Sequence, residues 1–153
     1  MSRPLPAYGL LAAIYSAGLL GFLARHRGAS AAGPLPERLG ITDLVLTGVA
    51  THKLSRLIAK DKVTAPLRAP FARHQEDSNR AEVEETARGD GVRRAVGELL
   101  TCPYCLGQWI ATGFWVGLIE APRQTRFLTA IFSAVAVADF LQIAYRAAGD
   151  QLD

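Results

Sequence analysis

The chain is poor in cysteine, in methionine and in charge. Its 153 residues include two cysteines and one methionine, and only 20% are charged. Two cysteines cannot build a disulfide framework, so the fold must rest on non-covalent packing. With half of its residues hydrophobic and a mean hydropathy of +0.15, the chain departs from an ordinary soluble domain of this size. No internal repeat of fixed period is visible, which excludes a solenoid. The Gly/Ala/Ser/Pro stretch at 28–36 is the one low-complexity tract. The net charge of +3 is modest and shows no groove-reading or base-stacking pattern, so nucleic acid is not an expected partner.

Apolar residues are present in four clumps. Residues 8–24 are uncharged and cover ~25 Å as a helix, the short end for a bilayer core. Gly9, Ala13, Ala17 and Gly21 recur every fourth position there, a face that another helix can approach closely. A cleaved signal peptide ending at Ala29-Ser30-Ala31 is the alternative, and Arg25, His26 and Arg27 argue against it. Gly33-Pro34 and Pro36 then break the chain. Residues 41–59 form a second helix with a polar stripe of Asp43, Thr47, Thr51 and Ser55, which either spans with that stripe facing inward or lies at the interface.

Residues 60–100 are hydrophilic. Residues 76–90, mixed in charge and sparse in apolar side chains, read as a loop, and 92–100 as a short amphipathic helix suited to the headgroup layer. The third run, 103–119, contains Trp109, Trp115 and a Gly113/Gly117 pair. The fourth, 127–145, carries Ala130, Ala134 and Ala138 on one face and is interrupted by Asp139. The short turn between these runs forces an antiparallel hairpin, with the two small-residue faces as its expected contact.

The fold expected is an all-α membrane protein with three or four transmembrane helices, a C-terminal helical hairpin and a cytoplasmic loop. It divides into an N-terminal transmembrane helix (1–27), a loop (28–40), the polar-striped second helix plus cytoplasmic loop (41–101), the Cys-x-x-Cys junction with the transmembrane hairpin (102–148) and a tail (149–153). Basic residues mark the cytoplasmic side. With all four helices spanning, Arg3, Lys60, Lys62, Arg68, Arg73, Arg80, Arg88, Arg93, Arg94 and Arg146 outnumber Arg25, Arg27, Arg38, Arg123 and Arg126, which puts the central loop and the C-terminus inside. The expected location is the inner (plasma) membrane, multi-pass. Expected partners are the bilayer and either a second copy or another membrane protein.

Two groups of residues can carry chemistry. Cys102-Pro103-Tyr104-Cys105 matches a redox tetrapeptide, and Pro103 suits a first helical turn, where unpaired N–H groups favour a thiolate. No βαβ pattern surrounds it. The open alternatives are thiol–disulfide chemistry, a zinc site using Cys102 and Cys105 completed by His74 or a second subunit, or a structural pair; no cofactor is the leading expectation. The second group is His52, Lys53, Arg56 and Asp139. In a spanning bundle Asp139 shares a depth with His52 and Lys53, so either base is its natural partner. Arg56, nearer the edge, can snorkel.

Residues 50–58 (Ala50-Thr51-His52-Lys53-Leu54-Ser55-Arg56-Leu57-Ile58), 61–68 with Arg68, Phe71, Gly91, Arg94, and 97–109 with Glu98, Cys102, Pro103, Cys105, Gly107 and Trp109 resemble the bacterial membrane proteins of domain-of-unknown-function family 1360. Some members of that family are labelled sporulation proteins. The resemblance covers roughly residues 41–145 in order and implies an integral membrane protein, with no catalytic assignment.

Overall fold

A computed structural model describes residues 4–27, 35–77 and 82–150. Arg3, Ala29-Ser30-Ala31, Gly33-Pro34, Arg80 and the last three residues of the tail lie outside the described residues. The chain forms α1 (Leu5–Arg25), α2 (Ile41–Lys60), a 3-10 turn (Lys62–Thr64), α3 (Ala65–Arg68), β1 (Ala72–Asp77), β2 (Val83–Ala87), α4 (Gly91–Thr101), α5 (Pro103–Glu120) and α6 (Pro122–Gly149). Proline opens α5 and α6 at the position where its missing N–H is harmless. Asp43 in the first turn of α2 and Lys60 in its last oppose the helix dipole.

The protein is mostly helical. Among the described residues two helices, α1 and α6, are long and apolar enough to cross a membrane, rather than the three or four expected. The reason is compositional. α2 carries Asp43, Lys53, Arg56 and Lys60, and α5 is 18 residues long and includes Gln108 and Glu120.

The helices run alternately up and down, with α2 packed against both α5 and α6. At one end the last turn of α1 meets the end of α5: Arg25 and His26 lie 3.7 and 3.2 Å from Glu120. At the same end Arg126 grips Asp43 with two bonds of 2.9 and 2.8 Å. The core is built of small and hydroxyl side chains, among them Ala50, Ala59, Ala136, Thr47, Ser55, Thr129 and Ser133, with Leu106 and Phe114 as its large apolar members. The inward polar stripe of α2 is present in Thr47 and Ser55.

Two expected contact faces are not the ones used. Ala130, Ala134 and Ala138 are exposed, and α6 buries Thr125, Thr129, Ser133 and Ala136 instead. Gly9, Ala13, Ala17 and Gly21 also point outward. The seam instead mixes Ala50, Ala59 and Ala136 with hydroxyls, which are small enough to allow close approach and some of which bond across it. Ser133 Oγ, for example, donates to the Leu46 carbonyl at 2.9 Å. Gly117 does serve the hairpin: a Cβ there would lie 2.6 Å from Thr125 Oγ1.

The opposite end carries a cap made of the 3-10 turn, α3, a hairpin and α4. Within the stretch expected to be a loop, Glu76, Asp77 and Val83–Ala87 are strand: β1 and β2 pair antiparallel, with a register shift between His74 and Glu76. The sparse apolar content hid the strands, because polar side chains occupy both faces. Gly89 and Gly91 take positive φ values of 81° and 54° and turn the chain from β2 into α4. Gly97 lets α4 settle on the hairpin, since a Cβ there would overlap the Phe71 carbonyl oxygen and sit 2.9 Å from Ala87 Cβ.

Candidate functional site

Three constellations link the cap to the bundle. The deepest is centred on Arg68, whose side chain is 0% exposed. Burial strips the guanidinium of water, so its hydrogens must all find acceptors. Nε donates to Glu85 at 2.5 Å, Nη1 to the Ile58 carbonyl and Thr64 Oγ1 at 2.6 Å each, and Nη2 to the Asp61 carbonyl at 3.0 Å. Ile58 and Asp61 lie at the end of α2, where helical carbonyls lack intrahelical donors. One side chain therefore caps α2, fixes the 3-10 turn and ties both to β2.

The second constellation is the Cys-x-x-Cys junction. Cys102 is the N-cap of α5, and its Sγ accepts the Cys105 N–H at 3.3 Å. Both cysteines are free thiols. Partial burial, then the neighbouring Cys102 sulfur, push the Cys105 thiol up, to about 11. Cys105 itself is therefore not the attacking thiol of a redox pair. His74 sits on β1 opposite Glu85, and among the described residues no three His, Cys, Asp or Glu side chains group to hold a metal. Within the described residues of one chain, His74 does not join the two cysteines as a zinc ligand.

The motif residues around the cysteines act as joints. Glu98 on α4 accepts from Tyr8 of α1 and from Arg94 Nε, the latter at 3.0 Å. Trp109 meets Tyr15 edge-on with ring centroids 5.1 Å apart, and Tyr15 Oη lies 2.8 Å from Thr112 Oγ1. A Cβ on Gly107 would come within 3.8 Å of Thr51 Cγ2 on α2.

The third constellation is a groove of about 1400 Å³ between the C-terminal halves of α2 and α6, closed at the cap by Asp61 and Glu82. His52, Lys53, Arg56 and Asp139 all line it. Of the two bases, Lys53 is the one that reaches Asp139, at 2.6 Å. His52 instead stacks on Phe140, with centroids 6.2 Å apart and planes at 21°. Arg56 binds Glu82 through three bonds of 2.6–3.0 Å. Lys60 similarly reaches Glu84 at 2.7 Å. The acids Glu82, Glu84 and Glu85 were not candidates at the sequence level. Their signal was the acidic run of β2 itself, set against basic residues of α2 and α3, and it becomes legible only once the hairpin is placed.

These features define a class: a small helical protein with two exposed apolar helices, a polar seam and a cap locked on by a buried arginine. The chain belongs to the family described as "Protein of unknown function (DUF1360)", which matches residues 46–145. It is similar to "Sporulation protein YjcA" of Bacillus subtilis (strain 168), 34% identical over 108 residues, or 67% of this chain and 89% of that protein. It is also similar to "UPF0713 protein YngL" of the same organism, 28% identical over 106 residues, or 66% of this chain and 78% of that one. No solved structure matches. The family match begins inside α2, so α1 lies outside it.

Proposed function

We propose that the chain is an integral membrane protein with a structural or interaction role, crossing the bilayer as a bundle with its cap in the cytoplasm. One observation carries this reading. Only 6% of the apolar window of α1 and 17% of that of α6 is buried within the protein. A core helix of a soluble protein would bury most of such a window, whereas lipid solvates it without cost. Leu10, Ile14, Leu20, Val137 and Leu141 all face outward. Basic Arg73, Arg88 and Arg93 on the cap are the reason for a cytoplasmic assignment.

The name carried by the Bacillus subtilis relative makes spore formation the first setting to examine. The groups at hand are committed to one another rather than arranged as nucleophile, base and oxyanion donors, which favours a non-catalytic role. The test is extraction and labelling. Alkaline carbonate should leave the chain in the membrane pellet. In a Cys102→Ser/Cys105→Ser background, Arg123→Cys should react with an impermeant maleimide on intact cells and Arg88→Cys only after lysis. A chain that stays in solution without detergent ends the proposal, and the reverse labelling pattern inverts its topology.

A further inference from the structure

We propose that Cys102 and Cys105 form a reversible dithiol–disulfide pair that exchanges with small disulfides at the cap end of the bundle. This goes beyond the structural role above and adds a redox-responsive site to it; the chemistry does not depend on whether the bundle crosses a bilayer. Packing does not account for the two thiols. Cys105 is exposed and Cys102 half-buried, and the buried place in that turn goes to Leu106, 7% exposed. A cysteine kept as a small apolar filler belongs in the core. Capping does not account for Cys102 either, because serine serves an N-cap at least as well. Zinc would need two further ligands, and among the described residues no third His, Cys, Asp or Glu joins the pair. What two accessible thiols on one helical turn can still do is exchange with a disulfide.

The two thiols are set differently. Cys102 stands just before the 18-residue helix α5, and the Cys105 N–H donates to its Sγ at 3.3 Å. That bond starts the Cys105 side chain beside the Cys102 sulfur, and an N–H aimed at a sulfur suits the one that attacks. Cys105 is held protonated by partial burial, then by the Cys102 sulfur and, more weakly, by the charge of Glu98 on α4. It therefore waits for a neighbour that has already reacted. The exchange balances in two steps. Cys102, having given its proton to water, attacks one sulfur of the small disulfide; that S–S bond breaks, a mixed disulfide forms, and one thiolate leaves and takes up that proton. The Cys105 sulfur then attacks Cys102 Sγ, the mixed disulfide breaks, and the second thiolate leaves with the proton that Cys105 gives up. Both cysteines are oxidised and the small disulfide is reduced to two thiols; a small dithiol reverses the sequence. Glu98 also accepts from Tyr8 of α1 and from Arg94, so the pair lies where α1, α4 and α5 meet.

The full chain in detergent micelles at pH 7, given one equivalent of an aryl disulfide, provides the test. It should release two aryl thiols and finish two hydrogens lighter with no adduct, as read by mass spectrometry. Cys105→Ser should release one and keep the adduct on Cys102. Cys102→Ser should react at least ~10-fold more slowly, its remaining thiol being protonated. Oxidised glutathione should close the same bond and dithiothreitol reopen it. Adducts on both cysteines without the loss of two hydrogens, equal rates for the two single variants, a pair that oxidised glutathione leaves open, or thiols that react only after a chelator removes zinc would each overturn the proposal. A chain that needs no detergent yet still closes the bond fails the membrane reading and leaves this inference standing.

Discussion

Arg68 and Lys53 are both cations near the cap end of α2, and each reaches an acid brought from elsewhere in the chain. Arg68 is wholly enclosed, its partner Glu85 is 6% exposed, and three further acceptors bind its guanidinium. Lys53 makes one bond to an acid that remains half open to a groove. The difference teaches what burial does to one chemistry. A fully enclosed ion pair becomes part of the fold, because removing either member strands the other without solvent. A pair at the wall of a groove stays accessible and can exchange partners.

The largest effect should come from breaking the enclosed pair. Arg68→Met leaves the enclosed Glu85 carboxylate without its donor, and the Ile58 and Asp61 carbonyls with only the Thr64 hydroxyl to share, and should cost about 3–5 kcal/mol. Amide exchange across residues 61–101 should accelerate. Arg68→Met with Glu85→Met should recover part of the loss, since no uncompensated charge remains. If the single variant unfolds no earlier than the parent, the two pairs belong to one class after all.

Packing supplies the next contrast. Gly97→Ala drives a methyl group into the Phe71 carbonyl and the Ala87 side chain, neither of which is a flexible tip, and should destabilise by about 1–3 kcal/mol. Gly113→Ala in α5 meets nothing within 4 Å and should be neutral or stabilise by up to ~1 kcal/mol. Urea or thermal midpoints of the two variants, compared side by side, give the sign of each.

A smaller effect is expected at the groove. A double-mutant cycle over Lys53→Met and Asp139→Asn should return a coupling of about 1 kcal/mol or less, because solvent or headgroups screen the exposed carboxylate. A coupling of ~3 kcal/mol or more would move this pair into the enclosed class and remove the reason for an accessible groove.

The smallest concerns the thiols. Cys102→Ser should keep the cap of α5, serine being a good N-cap, whereas Cys102→Ala should lose about 1 kcal/mol or less. Cys105, pushed up to about 11, is mostly protonated at neutral pH. Its alkylation should be slower than that of an ordinary thiol and should keep rising as pH climbs toward that value. Fast alkylation of Cys105 at pH 7 would contradict that shift.

Much of the bundle was legible because its signals are local. Apolar runs set the helices, Pro103 and Pro122 set where two of them start, and the short turn at Ala121 forces the hairpin. The polar stripe of α2 pointed inward as its spacing implies. The shared depth of Lys53 and Asp139 followed from counting residues along parallel helices, and geometry then chose Lys53 over His52. What stayed hidden was long-range. The hairpin has too few apolar residues to show a period of two. Arg68 was legible as a motif residue, yet nothing near it in sequence announces Glu85, 17 residues away. The small-residue faces misled because spacing identifies a smooth face without saying which way it points.

The amino-acid sequence by itself determined that most of this chain is helical, that its outer rods are apolar, and that its family is the one it resembles, since each follows from local composition or from motif order. Only the tertiary structure decided which hydroxyls form the seam, that a hairpin replaces the charged loop, and which acid each base holds. Those outcomes depend on distances between segments far apart in the chain. A buried charge or hydroxyl is tolerated only where such a distance is short.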